Sequence, residues 1–151
     1  MSDAPLDFSD MLNQHRGGWN EAMGLRFLRA TADEVVAELE VARVHQQPYG
    51  IVHGGVHAGV IETLASAGAA IVAGARGQTV VGLDNSTTFI RAVREGTLRA
   101  TARPLTRGRR TQVWETTVVD SGGRLVATGR VRLICLEPGA SLAGETAGVK
   151  S

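Results

Sequence analysis

Residues 53–75 read HGGVHAGVIETLASAGAAIVAGA, and the fold turns on how that run is placed. It has no proline, and apart from His53, His57, Glu62, Thr63 and Ser66 it is made of Gly, Ala, Val, Ile and Leu. A run of this length that is apolar on nearly every side predicts a helix enclosed by other structure, spanning about 54–75, with Arg76-Gly77 as a C-terminal stop signal. Glu62 is the anomaly, because an isolated carboxylate in an apolar interior is costly when ionised. One reading lets it reach solvent past small neighbours or cap a local backbone group. The other makes it part of a site. Gly55, Gly59, Glu62, Ser66 and Ala69 share one face at helical spacing, and all but the glutamate are tiny, which leaves room for a second backbone or a substrate.

His53-Gly54-Gly55 offers a second half to such a site. The first turn of a helix presents unpaired N–H groups and a partial positive charge that suit an oxyanion, and glycine lets a ligand approach the backbone. A lone HGG equally makes a tight turn. HGG followed nine positions later by an acid inside an apolar helix is more specific. Gly54 and Glu62 are eight steps apart, about 12 Å of helix rise, too far to act together on one carbonyl. A second copy of the helix running antiparallel beside the first would join them, so the expected assembly is a homodimer whose site combines the helix start of one subunit with Glu62 of the other.

The rest of the chain frames this helix. Its 151 residues match one domain with one core. Sixteen Lys plus Arg against fifteen Asp plus Glu give a formal charge of +1, without the basic excess that nucleic-acid or membrane-surface binding needs. The single cysteine, Cys135, fits a reducing compartment. MSDAPLDFSDMLNQ has no signal pattern, and the most apolar stretch, 64–75, reads as too short for a bilayer. These features predict a cytoplasmic protein. A short N-terminal helix over 7–16 is expected to stop at Gly17-Gly18, with one more turn over 19–24. Alternation at Leu25, Phe27, Val35, Ala37, Leu39 and Val41 predicts strands with one wet face. His45 to Gly50 is a loop. Four further strands over 78–90, 96–106, 110–120 and 124–136 follow, the last three joined by short turns into a meander. The domain is expected to cover 1–137, with 138–151 a disordered tail. An antiparallel sheet of five or six strands and one fully apolar helix satisfy each other only when the sheet curls around the helix, an α+β arrangement.

The stretches GIVHGGVHAGVIETLAS, VVGLDNSTTFIRAVREG and RPLTRGRRTQVWETTVVDSGGRLVATGR resemble hot-dog-fold acyl-CoA thioesterases of the phenylacetate-pathway type. Within them they are most similar to the Glu-containing 4-hydroxybenzoyl-CoA and the 1,4-dihydroxy-2-naphthoyl-CoA thioesterases. The likeness runs over about 35–136. It implies a curved sheet wrapped on a central helix, dimers pairing into tetramers, and hydrolysis of acyl-CoA without a cofactor. By this resemblance Glu62 is the catalytic carboxylate, Gly54 N–H polarises the carbonyl, Gln47 and His53 support the site, and Ser66 supplies a hydroxyl one turn on. Gly55 lies at the substrate, and Arg91 holds coenzyme A phosphates. Arg109 and Arg110 stand where the hydroxybenzoyl enzyme has small hydroxyl residues, a departure at the nucleotide contacts.

Other chemistries fit less well. His45, His53 and His57 lack the Cys or acidic partners of a metal site. No GxSxG elbow marks a serine hydrolase. Cys135 alternates with Val131 and Leu133 as a core thiol would. The arginines at 91, 94, 99, 103, 107, 109 and 110 read either as a solvated strand face or as a nucleotide-phosphate surface. Two alternatives stay open: a non-catalytic acyl-CoA-binding or sensing module, and hydrolysis of acyl groups bound to a carrier protein.

Overall fold

A computed structural model describes residues 3–150. Two short helices, α1 (Ser9–Gln14) and α2 (Gly17–Met23), precede strands β1 (Arg26–Ala30) and β2 (Val35–Glu40). A single 3-10 turn (Arg43–His45) leads to the long helix α3 (Gly54–Gly74), followed by β3 (Thr79–Phe89), β4 (Thr97–Arg107), β5 (Thr111–Val119) and β6 (Leu125–Leu136). Six antiparallel strands form one sheet in the order β1-β2-β4-β5-β6-β3. The predicted meander is β4-β5-β6, and the sheet packs against α3 through β2, β3, β4, β5 and β6.

Strand alternation explains the wrapping. Val35, Ala37 and Leu39, then Leu98, Ala100 and Ala102, then Trp114 and Val118, then Val131 and Leu133 are all buried, one inward set per strand at period two. They meet Val56, Val60, Ile61, Leu64, Ala65 and Ala69 of α3. Trp114 is fully buried, and its ring lies where a Cβ on Gly68 would stand, so helix and sheet approach closely there. Its Nε1–H donates to Gln112 Oε1 (2.9 Å), and Gln112 Nε2–H donates to the Ala69 carbonyl (3.0 Å). The indole and amide are thereby satisfied inside the core. Cys135 is a buried thiol, as its alternation predicts.

Some expectations change. Gly17 takes φ +72°, a left-handed conformation that turns the chain sharply, so α2 begins at the glycine that was expected only to end α1. Helix α3 has 21 residues and is long and apolar enough to cross a membrane by length and composition, contrary to the shorter apolar stretch read from the sequence. The structure uses it as a core helix, because the sheet supplies the apolar surroundings. The stretch after residue 137, expected to be disordered, is described through Lys150 and contains a two-stranded hairpin, β7 (Ser141–Leu142) with β8 (Glu145–Thr146).

The two borders of the sheet differ. On β1, Asn13 of α1 receives the Phe27 N–H (2.8 Å) and donates to the Phe27 carbonyl (2.9 Å), imitating a neighbouring strand. Asp7 accepts from the Ala30 N–H (3.0 Å), and the Phe8 N–H donates to the Ala30 carbonyl (2.8 Å). At the other border, among the described residues, β3 pairs only with β6. It carries a bulge at Leu83 and exposes Leu83 and Phe89, with Ile90 exposed just beyond its end.

Candidate active site

The loop before α3 is docked rather than loose. Val52 N–H donates to the Val93 carbonyl (2.8 Å) and His53 N–H to the His45 carbonyl (2.8 Å). Gln47 sits in this loop, where its Oε1 accepts from the Tyr49 N–H. His45 is buried, with Nδ1 accepting from Ala42 N–H (2.8 Å) and Nε2 donating to the Met23 carbonyl (2.7 Å), so one ring ties α2 to the 3-10 turn. His53 is the N-cap of α3, its Nδ1 accepting from the Gly55 N–H at 2.8 Å. The Gly54 N–H makes no hydrogen bond among the described residues. A free donor at the first helical position, lying in the positive end of the helix dipole, can stabilise an oxyanion. The Phe89 ring occupies the space a Gly54 Cβ would enter, 2.7 Å from that position, and shelters this amide on one side.

Glu62 lies between α3 and the β3 border. Its carboxylate rests where a side chain on Gly82 would project, and Asn85 Nδ2–H donates to Glu62 Oε2 (3.2 Å) and to the Ala58 carbonyl (2.9 Å). Thr87 Oγ1–H donates to Asn85 Oδ1 (2.6 Å), fixing which way the amide points. Glu62 is half-buried, and neither sealed in the core nor paired with a cation among the described residues. Ser66, half-buried one turn further on, makes no side-chain hydrogen bond among the described residues.

The small-residue face is occupied in part by the chain itself. Trp19 of α2 fills the space beside Gly59, and Thr63 Oγ1–H donates to Asn20 Oδ1 (3.0 Å). Ala69 is fully buried. The open part of the face is therefore the Glu62–Ser66 side toward β3, while Gly59 gives room to an aromatic ring of the same subunit.

Gln47, His53, Gly54 and Gly55 gather at the start of α3, with Arg91 just beyond the adjoining end of β3. Arg109 and Arg110 sit at the opposite end of α3, where Arg76 donates to the Arg107 and Gly108 carbonyls and Gln78 to the Arg109 carbonyl. The helix separates them from Arg91 by about 30 Å. Arg99 pairs with Glu38, Arg103 with Glu34, Arg107 with Asp33 and Arg109 with Glu137, so much of the basic run is a solvated, ion-paired strand face. Arg91 and Arg110 have no carboxylate partner among the described residues. The three histidines near the helix start have separate roles: His45 as a clamp, His53 as a cap and His57 buried 6.3 Å from the Phe89 ring. Burial holds the His57 imidazole below its ordinary pKa. Among the described residues no group of three His, Cys, Asp or Glu is placed to hold a metal.

Asn85, Gly82 and Phe89 were not singled out from the sequence. The available signal was Gly82, since glycine inside a strand pattern marks a close approach.

A curved antiparallel sheet around one helix, with a lone carboxylate on the helix and a free amide at its start, defines a hot-dog protein. The thioesterase superfamily profile matches residues 49–127. Rv1847 of Mycobacterium tuberculosis, whose name assigns it provisionally to the esterases, is 40% identical over 121 residues, covering 79% of this chain and 86% of its own. Its structure superposes with a TM-score of 0.78, covering 82% of this chain and 98% of that one. The proofreading thioesterase EntH of Klebsiella pneumoniae is 40% identical over 110 residues, 72% of this chain and 79% of its own. The thioesterase HI1161 of Haemophilus influenzae, 26% identical, has a TM-score of 0.79 over 89% of this chain and 93% of that one. The chain belongs to the thioesterase superfamily, and its general class is thioester hydrolase.

Proposed function

We propose that the chain hydrolyses acyl-CoA thioesters with an aromatic or otherwise bulky acyl group, in the manner of the hydroxybenzoyl-CoA and dihydroxynaphthoyl-CoA enzymes it resembles. Glu62 supplies the carboxylate and the Gly54 N–H the oxyanion donor, the two coming from different subunits of a homodimer. The observation that supports this best is the placement of Glu62: a carboxylate held by Asn85 beside a strand border that has no partner strand among the described residues. Pairing β3 with β3 of a second copy about a two-fold near Ser86 sets Phe89 of one strand opposite Leu83 of the other. Phe89 marks the Gly54 amide and Leu83 adjoins the Gly82 on which Glu62 rests, so that symmetry brings donor and carboxylate together. Arg91, beside the helix start and without a carboxylate partner among the described residues, suits the phosphates of coenzyme A.

Hydrolysis then needs no further group. Water adds to the thioester carbon as its proton passes to Glu62, the oxyanion forms against Gly54 N–H, and the C–S bond breaks with the proton going to the thiolate. Alternatively Glu62 itself adds to the carbon, expels the thiolate and is released as its anhydride is hydrolysed. Single turnover in ¹⁸O-labelled water separates the routes, since only the second places label in the Glu62 carboxylate. Glu62→Gln is expected to lower kcat by about 10³-fold with substrate affinity retained. Turnover near that of the wild type would remove Glu62 from the reaction. A panel of aromatic and aliphatic acyl-CoA esters, run beside the same acyl groups on a carrier protein, identifies the preferred substrate.

A further inference from the structure

Between the two borders of the sheet, one face of the C-terminal half of α3, that of Ala67, Ala70, Ile71 and Gly74, lines an open space. Residues 5–12 on one side and 142–149 on the other wall off a cleft of about 1180 Å³ there. Phe8, Ala70, Ile71, Val80, Leu142 and Val149 are among its lining side chains. The two arginines on its border are engaged outward, Arg107 with Asp33 (2.6 Å) and Arg76 with the Arg107 and Gly108 carbonyls (3.1 Å each). What enters this space is therefore selected for being apolar and uncharged.

Two elements lead from this cleft toward Glu62, which is not itself among the lining residues. On α3, Glu62, Ser66 and Ala70 follow one another at one-turn spacing and form one stripe, and Ala70 lies in the cleft. On β3, Val80 shares a strand face with Gly82, the residue on which the Glu62 carboxylate rests. At the mouth, Leu6 and Val149 stand 78% and 89% exposed, two apolar side chains on terminal segments with little protein over them. The volume exceeds the roughly 300–1,000 Å³ typical of small-ligand sites, more than one aromatic ring fills.

Resting on thioester hydrolysis at Glu62, we infer that this cleft receives the acyl group, and that the enzyme accepts extended, wholly apolar acyl groups while the chain's own terminal segments close over them. The thioester carbon sits at Glu62, the acyl group runs past Ser66 and Ala70, and Leu6, Leu142 and Val149 become covered once it is bound.

Ala70→Trp tests this, since Ala70 is exposed and its enlargement fills the cleft without entering the core. The expected result is a fall in kcat/KM for decanoyl-CoA on the order of 100-fold, with a much smaller fall for acetyl-CoA. Calorimetric titration with decanoate, the product, reads the cleft without any turnover. It should bind the wild-type protein and be weakened by both Ala70→Trp and Val149→Asp, even where thioester hydrolysis itself fails. Equal loss on both substrates, no loss on either, or no decanoate binding by the wild type would overturn the assignment. A change in sedimentation mass of Ala70→Trp would overturn it as well, by making the cleft a contact between copies.

Discussion

At the level of single side chains, Asn85 has the most leverage on Glu62, because one amide nitrogen spans the Glu62 carboxylate and the Ala58 carbonyl while Thr87 fixes its orientation. Asn85→Ala frees the carboxylate to rotate, and kcat is expected to fall about 10- to 100-fold with KM nearly constant; a pure rise in KM would show that Asn85 serves binding instead. His57 governs a different property. Its folded-state pKa is depressed by burial from the ordinary value of 6.5. As pH falls through that value the unfolded chain takes up a proton that the native ring refuses, so stability is full above it and declines below. Urea unfolding at pH 7 and pH 5 should show a loss in the wild type that is smaller in His57→Leu, and identical losses would assign the acid sensitivity to other groups. Glu62 was legible in the sequence because a carboxylate contradicts the apolar run around it. Asn85 was not, since an asparagine in a strand contradicts nothing until the strand is known to lie beside the helix.

Element by element, α3 is positioned by what its small residues admit. Gly68→Ala drives a methyl into the fully buried Trp114 ring, which is held by Gln112 and has nowhere to go, and is expected to cost about 1–3 kcal/mol. Gly59→Ala meets Trp19, which is 41% exposed on a short helix and can swing outward, so its cost should be smaller. Comparing the two urea midpoints checks this, and a larger loss at Gly59 would reverse the assignment. The helix, the strands and the meander were readable because their periodicities of about 3.6 and 2 residues are set by local geometry. The covering of Gly59 was not: spacing reveals that a face is narrow, but not whether a partner or the chain's own indole fills it. The position of β3 beside β6 was equally hidden, because a strand that follows a long helix can return to either side of a sheet.

For the molecule as a whole, the β3 border decides how copies meet in the proposed dimer. With the symmetry axis near Ser86, Ser86→Cys in a Cys135→Ser background should form a disulfide-linked dimer on mild oxidation. Thr79→Cys, at the far end of the strand, should stay unlinked on a non-reducing gel. Equal linking at both positions, or none at Ser86, would move the axis or remove the interface. The proposal of a two-subunit site follows from the span between Gly54 and Glu62, but the surface proposed to join the subunits needed the strand order. The opposite border has Asn13 and Asp7 lodged against the backbone of β1. A sheet with one adhesive rim and one guarded rim can zip to its twin once and then presents no further seam. In the proposed dimer lateral growth ends there, and the exposed apolar strand used for pairing does not lead on to fibres.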